Sequence, residues 1–539
     1  MMPATAVPRT ADGHSLERTH LVGVGGAGMS AIARILADRG LPVSGSDAKG
    51  SHVLTGLTQR GVRTVLGHRA DNLDLLDGGP TAVVVSTAIR ADNAEVAEAR
   101  RRGIPVVLRA QALAALMDGS RSVCVAGTHG KTSTTSMLTV ALQRAGLDPS
   151  FAIGGELNES GSGAHQGTGD VFVAEADESD GSFLAFTPHG AIITNLEPDH
   201  LDHHGTPEAY ARVFEQFVDR IAPGGFLVAC QDDPGVRTLL STLDGRVGAP
   251  RVIRYGFAPG GSVDARTADP DAAVDRAAAD ATSAHPAATR TPSAGRADTE
   301  VLIERHSAAG HGTVATLSIS PGGLSVTPGA DRTDRTGSSG PVEVRLTLAV
   351  PGTHMLSNAA AALAAGVALG VDPEAMASGL AGYTGVRRRF EYKGRAGGVT
   401  VYDDYAHHPT EVRAQLAAAR AVLDSRDDHP GRLVVVFQPH LYSRTRTFAA
   451  EFAQALATAD VAVVLDVYGA REDPQPGITG ELITSGIPAG TAEVHFEPSL
   501  ATAPQRVAGL VREGDLLITM GAGDVTMLGP LILDRLGER

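Results

Sequence analysis

Cysteine and lysine are scarce in this 539-residue chain, and long apolar runs are missing. Two cysteines, Cys124 and Cys230, are too few for a disulfide framework or a cysteine-type zinc site. Cys124 lies in an apolar run ahead of a glycine-rich loop, where a small buried residue is expected. No stretch is long and apolar enough to cross a bilayer. The start of the chain mixes Pro, Thr, Arg, Asp and His without the apolar centre of a signal peptide. A cytoplasmic protein with no membrane partner is expected. Net charge is −15 and no Lys/Arg run occurs, which argues against nucleic acid as a main partner. Any anionic substrate must therefore be met by local cations. Lysine occurs only at 49, 131 and 393, so nearly all positive charge is carried by arginine.

The length corresponds to about three or four domains. In "THLVGVGGAGMSAIARILADRGLPVSGSD", residues 21–24 read as a buried strand, 25–28 as a turn and 29–38 as a helix that Gly40 stops. A second strand ends at Asp47, completing a βαβ unit. "TAVVVSTAI" is a later strand, and the segment closes near 119. A second segment opens with "RSVCVAG", a glycine loop and a helix to Arg144. The strands "VFVAEADESD", "GAIITNLEPDH" and "GFLVAC" follow, with the helix "PEAYARVFEQFVDRI" among them. Residues 259–340 are rich in Ala, Thr, Asp, Arg, Gly, Ser and Pro, with two short strand-like patches, "EVLIER" and "GTVATLSIS". They read as a partly disordered insertion beside a β-rich edge. From 386 the strands "GVTVYDDYA", "RLVVVFQPH", "VAVVLDVYG" and "DLLITMG" alternate with helices. The expected fold class is α/β with three domains. These are a Rossmann-like N-terminal domain (1–119), a central P-loop ATPase domain with a mainly parallel sheet (120–385) and a Rossmann-like C-terminal domain (386–539).

Gly23, Gly25 and Gly28 fit G-x-G-x-x-G between strand and helix, and Asp47 stands where a ribose-binding acid is expected. Such glycines let a diphosphate approach the backbone at a helix N-terminus. The motif alone leaves NAD, FAD and a nucleotide sugar open, as well as a mere tight turn. "AGTHGKTSTT" (126–135) ends like a phosphate loop, but Val125 stands where the usual first glycine would be. Its strand–loop–helix context still suits a nucleoside triphosphate: backbone N–H groups wrap phosphates, Lys131 neutralises them and the Thr132 hydroxyl can ligate Mg²⁺. "EADESD" (175–180) and "EPDHLDHH" (197–204) end strands, where ligand crevices of parallel sheets lie. Glu175 and His200 are the best metal-ligand candidates there. The clustered His203 and His204 match no standard zinc spacing. In "DDYAHHPTE" (403–411), Asp403, Asp404, His407 and His408 could orient an amine or a nucleotide, or simply cap a helix. "RRRF" (387–390) and "HLYSRTR" (440–446) add arginines suited to carboxylate or phosphate.

Taken in order, "GVGGAGMSAIA", "SGSD", "AGTHGKTSTT", "EADESD", "NLEPDHLDHHG", "DDYAHHPTE", "FQPHLYSRT" and "GAGDV" resemble the Mur ligases, which build the peptide stem of bacterial cell-wall precursors. The resemblance spans nearly the whole chain except the N-terminal tail and 259–340, and is nearest the alanine-adding branch. It implies an enzyme that ligates L-alanine to UDP-N-acetylmuramate, using ATP and Mg²⁺, as a monomer or homodimer. The first glycine motif would then hold the UDP diphosphate, with Gly23, Gly25, Gly26, Gly28, Asp47 and Ser86 as UDP-sugar residues. ATP would meet Gly127, Thr128, His129, Gly130, Lys131, Thr132, Ser133, Asn358 and Arg389, with Asn358 at the adenine. Thr132, Glu175 and His200 would hold the metal. Lys131, His408 and Arg444 would be catalytic, the last two near the alanine. Some Mur ligases use a carbamylated lysine in the central domain; here Lys131 is the only lysine in that stretch, so the device is absent. Leu441 stands where some relatives have Arg, which shifts weight to Arg444. The rival within the family attaches a preformed peptide to the same sugar. Readings of other classes are a dinucleotide oxidoreductase and a nucleotide-gated binding protein without chemistry.

Overall fold

The strand Arg121–Ala126 shows how the fold is built: its side chains alternate between two cores. Val123 and Val125 face one apolar cluster, which includes Leu356 and Leu363 of the helix Thr353–Ala368. Cys124 and Ala126 face the other, with Phe183 and Phe214. A strand apolar on both faces must be central in a sheet covered on both sides. The computed structural model describes residues 7–263, 299–309, 312–320, 341–426, 431–470 and 472–538.

Three sheets follow one another along the chain. The first has five parallel strands, spatially Arg63–Leu66, Val43–Asp47, Thr19–Val22, Ala82–Val85 and Val106–Leu108. Strand order reverses beside Thr19–Val22, so the glycine turn that follows opens at a switch point. The second sheet has ten strands and is parallel through its middle, where Arg121–Ala126 lies between Val171–Glu175 and Gly190–Ile193. The third has six strands. All its pairings are parallel except that of Glu391–Ala396 with Val399–Asp404. The α/β class and three-part architecture read from the sequence are those of the structure.

The differences are local. The first strand is Thr19–Val22, two residues earlier than expected, because Gly23 takes φ +76° and turns the chain at once. The strand Arg251–Val263 runs past the expected start of the insertion at 259. The patches "EVLIER" and "GTVATLSIS" belong to Thr299–Ala309 and Gly312–Ser320, full members of the ten-stranded sheet; the first pairs in parallel with Arg251–Val263 and antiparallel with the second. The rest of that polar stretch (264–298, 310–311 and 321–340) lies outside the described residues. Both cysteines are buried and unpaired. Among the described residues no helix is long and apolar enough to cross a membrane.

Candidate active site

A cavity of about 710 Å³ draws its walls from elements of all three sheets. Gly25, Ser30 and Arg34 come from the first; Lys131, Thr132, Glu175 and His200 from the second; Arg388, Arg389 and His407 from the third. The phosphate loop sits on its wall. Two glycines are required there. Gly127 has φ +131°, and a Cβ on it would lie 2.1 Å from Thr194 Oγ1; Gly130 has φ +80°, and a Cβ would lie 2.7 Å from Asn358 Oδ1. Gly130 ends the loop and starts the helix Lys131–Arg144, so the N–H groups of its first turn open toward the loop.

Lys131 Nζ donates to Glu178 Oε1 (2.8 Å) and to the carbonyls of Gly127 (2.6 Å) and Thr128 (3.1 Å). Burial works against its charge, but Glu178, Glu175 and Asp177 outweigh that and raise its pKa. Burial pushes the Glu178 carboxyl up against the pull of Lys131. The Thr132 hydroxyl donates to Glu175 Oε1 (3.1 Å), whose Oε2 accepts the Gly154 N–H (2.8 Å). His200 takes φ +52°, in the left-handed region, which turns its ring toward the cavity wall. Burial depresses its pKa, which keeps the imidazole neutral. A hydroxyl, a carboxylate and a neutral imidazole on one wall are a donor set that suits a divalent cation beside phosphates.

Of the residues singled out from the sequence, Gly25, Thr128, His129, Gly130, Lys131, Thr132, Glu175, His200 and Arg389 line the cavity. Gly23, Gly26, Gly28, Asp47, Ser86, Gly127, Ser133, Asn358, His408 and Arg444 lie off that wall. Asp47 accepts the Gly25 N–H at 2.9 Å and so braces the glycine turn from behind. Asn358 and Ser133 are buried, 7% and 6% exposed. His408 is 5% exposed and caps the helix Pro409–Asp424, whereas its neighbour His407 faces the cavity. Burial holds His407 near a pKa of about 3 and His408 near about 4, so both rings are neutral. Arg444 Nη2 is held by both oxygens of Asp199 (2.9 and 3.2 Å), and burial of this carboxyl is outweighed by Arg444 and His200, which hold it far below the usual range. Leu441 is buried with φ +69°.

Sequence reasoning passed over four members of this site. Glu178 lay within the quoted "EADESD" and Asp199 within "EPDHLDHH", but nothing in a linear stretch pairs them with Lys131 and Arg444. Arg34 sits on a helix with no motif of its own. It is 8% exposed, donates to Ser162 Oγ (2.7 Å) and keeps its Nε unpartnered beside the cavity. Glu411 lay within the quoted "DDYAHHPTE" without a role of its own; it joins His129 across the sheets at 3.2 Å.

Comparison with known proteins agrees along the chain. Residues 18–121 match the Mur ligase family, catalytic domain; residues 125–284 match the Mur ligase middle domain; residues 388–523 match the Mur ligase, glutamate ligase domain. The UDP-N-acetylmuramate–L-alanine ligase of Saccharopolyspora erythraea is 56% identical over 96% of this chain and 93% of its own. That of Rhodococcus erythropolis is 52% identical over 97% of each. Among solved structures, the UDP-N-acetylmuramate-alanine ligase of Thermotoga maritima superposes with a TM-score of 0.70 at 26% identity, covering 96% of this chain and 98% of that one.

Proposed function

The chain belongs to the Mur ligase family, and from that premise we infer that it joins L-alanine to the carboxylate of UDP-N-acetylmuramate, with ATP converted to ADP and phosphate, in peptidoglycan precursor synthesis. One observation carries this reading: a single cavity, with a phosphate loop on its wall, receives side chains from all three sheets. A ligase with three substrates needs such a meeting point, because nucleotide, acid and amine must touch one another in turn.

The chemistry sets what the residues must do. A carboxylate is a poor acyl donor, since oxide would have to leave. Transfer of the γ-phosphoryl group to the sugar carboxylate makes an acyl phosphate and releases ADP. The neutral alanine amine attacks that carbonyl, and the tetrahedral intermediate collapses to the amide by expelling phosphate. Lys131 exchanges its Glu178 and loop-carbonyl partners for phosphate oxygens and stabilises charge on the transferring group. Thr132, Glu175 and His200 would hold Mg²⁺, which supplies further neutralisation of phosphate charge. Arg389, on the cavity wall and charged through Glu411 and Asp404 despite burial, provides a second fixed cation for the nucleotide. The neutral His407 ring on the cavity wall is placed to accept a hydrogen bond from the amine and orient it, with His408 behind it as the helix cap. Arg444, behind the cavity wall, holds Asp199 on that wall and would supply the positive charge that draws the amino-acid carboxylate to this side of the site. Closure of the three parts over the cavity would keep water from the acyl phosphate.

The acyl phosphate is the testable step. With ATP and UDP-N-acetylmuramate but no amino acid, borohydride should trap the activated sugar as its alcohol. Absence of the trapped alcohol, with ADP still formed on adding alanine, would overturn the stepwise route.

A further inference from the structure

His129 stands in the middle of the phosphate loop, yet its side chain leaves the loop. Its main chain is fixed inward: the N–H donates to Asn195 Oδ1 (2.7 Å), and the carbonyl accepts from Thr194 Oγ1 (2.6 Å) and Asn195 Nδ2 (3.1 Å). Its ring points toward the third sheet. Nδ1 lies 3.2 Å from Glu411 Oε1, and Nε2 lies 3.4 Å from Glu197 Oε2. Both carboxylates also grip the start of the helix Pro409–Asp424. Glu411 Oε2 accepts the N–H groups of His407 (3.0 Å) and His408 (3.3 Å), and Glu197 Oε2 accepts the Thr410 hydroxyl (2.8 Å).

The ring's Nδ1 donates to Glu411, and its Nε2 meets Glu197 at ion-pair distance without hydrogen-bond geometry, so a carboxylate beside each nitrogen favours the imidazolium. Burial works against that charge, but Glu197 and Glu411 outweigh it and hold the pKa near about 9. His129, Glu197 and His408 also bring donor atoms within 4.8 Å of one another, as a metal site would. The hydrogen bonding argues otherwise. The Thr410 N–H donates to His408 Nδ1 (3.4 Å), which leaves the ring proton on Nε2, the nitrogen that would have to ligate. The cluster is an ion-pair strap between the phosphate loop and the segment that carries His407.

We propose that His129 is a positioning residue that couples nucleotide occupancy of the phosphate loop to the amino-acid site, by strapping the loop to Glu411 and so holding His407 against the cavity. The proposal rests on the ligase reading above. Phosphates seated in the loop fix the loop backbone and therefore the ring. The ring meets Glu411 only when the third sheet's elements are closed on the central ones. Nucleotide thus binds the closed arrangement better and, by reciprocity, tightens the amino acid. Cutting the strap should leave each ligand its own contacts and remove the coupling between them.

The experiment measures alanine binding to the full chain saturated with UDP-N-acetylmuramate, with and without a non-hydrolysable ATP analogue. For the unmodified protein the analogue should tighten alanine on the order of tenfold. In His129→Ala that factor should fall toward one. Glu411→Gln, at the far end of the strap, should lose the same factor, and the double variant should lose no more. An unchanged factor in either single variant overturns the proposal. A His129→Ala chain that no longer binds the UDP-sugar has lost its fold, and the Glu411→Gln result then decides alone. Failure of the ligase reading looks different: the unmodified protein would release no phosphate with alanine under any condition.

Discussion

Lys131 and Glu178 form a buried ion pair, Nζ to Oε1 at 2.8 Å, on the wall of the phosphate loop. Glu178 is 1% exposed and its Oε2 has no partner, so Lys131 is the group that makes its charge tolerable. The pair gives Lys131 two separable duties, one to the fold and one to the nucleotide. Lys131→Ala should abolish alanine-dependent ADP formation while UDP-sugar binding persists. It should also lower the unfolding free energy by about 3 kcal/mol, the usual cost of stranding one member of a buried pair. Adding Glu178→Gln to that variant should restore most of the stability and none of the turnover. Calorimetry and an ADP assay on the two variants check both halves.

Arg444 and Asp199 connect the third sheet's elements to the loop that bears His200. Arg444→Ala should raise KM for alanine by about a hundredfold, in line with truncating one partner of a buried charged pair. KM for ATP should move far less. Steady-state kinetics with each substrate varied in turn would show it, and an equal rise in both would assign the pair to closure instead of to alanine.

Glu175 receives the Thr132 hydroxyl and the Gly154 N–H, which aim its carboxylate at the loop. Glu175→Gln keeps the shape and removes the charge. The Mg²⁺ concentration needed for half-maximal turnover should rise at least about tenfold, with UDP-sugar affinity unchanged. A metal titration of turnover reads this directly.

His407 and His408 are neutral in the fold because burial depresses their pKa values to about 3 and about 4. The unfolded chain binds protons on both below about pH 6.5. Their contribution to stability is therefore fully present above that pH and is lost as pH falls toward 4 and below. Melting temperature should be flat from pH 7 to 8 in this respect and fall progressively below about 6. His408→Gln should show a shallower fall over the same range. A scan of melting temperature against pH, run on both proteins, is sufficient.

The architecture was legible because each strand–loop–helix unit announces itself locally. The run Val123–Ala126 is apolar without alternation, the loop that follows carries Gly127 and Gly130 at positive φ, and the helix begins at Lys131. The cavity-facing half of the site was legible for the same reason: Lys131 and Thr132 open the helix that follows a strand, Glu175 ends a strand, and His200 lies in the connection that leaves one. What stayed hidden was pairing over long sequence distance. Asp199 meets Arg444 and His129 meets Glu411 only after the second and third sheets pack together. The choice between His407 and His408 was equally hidden, since adjacent residues differ in facing by a turn of backbone that the sequence does not display. The strands Thr299–Ala309 and Gly312–Ser320 were underestimated because their polar flanks dominate the composition around them.

The most direct measurement is phosphate release from ATP in the presence of UDP-N-acetylmuramate and Mg²⁺, with each amino acid and the preformed tripeptide supplied in turn. L-Alanine should support turnover, with UDP-N-acetylmuramoyl-alanine formed in equal amount to the phosphate. Turnover with the tripeptide but not with alanine, or phosphate release without an amide product, would contradict the account.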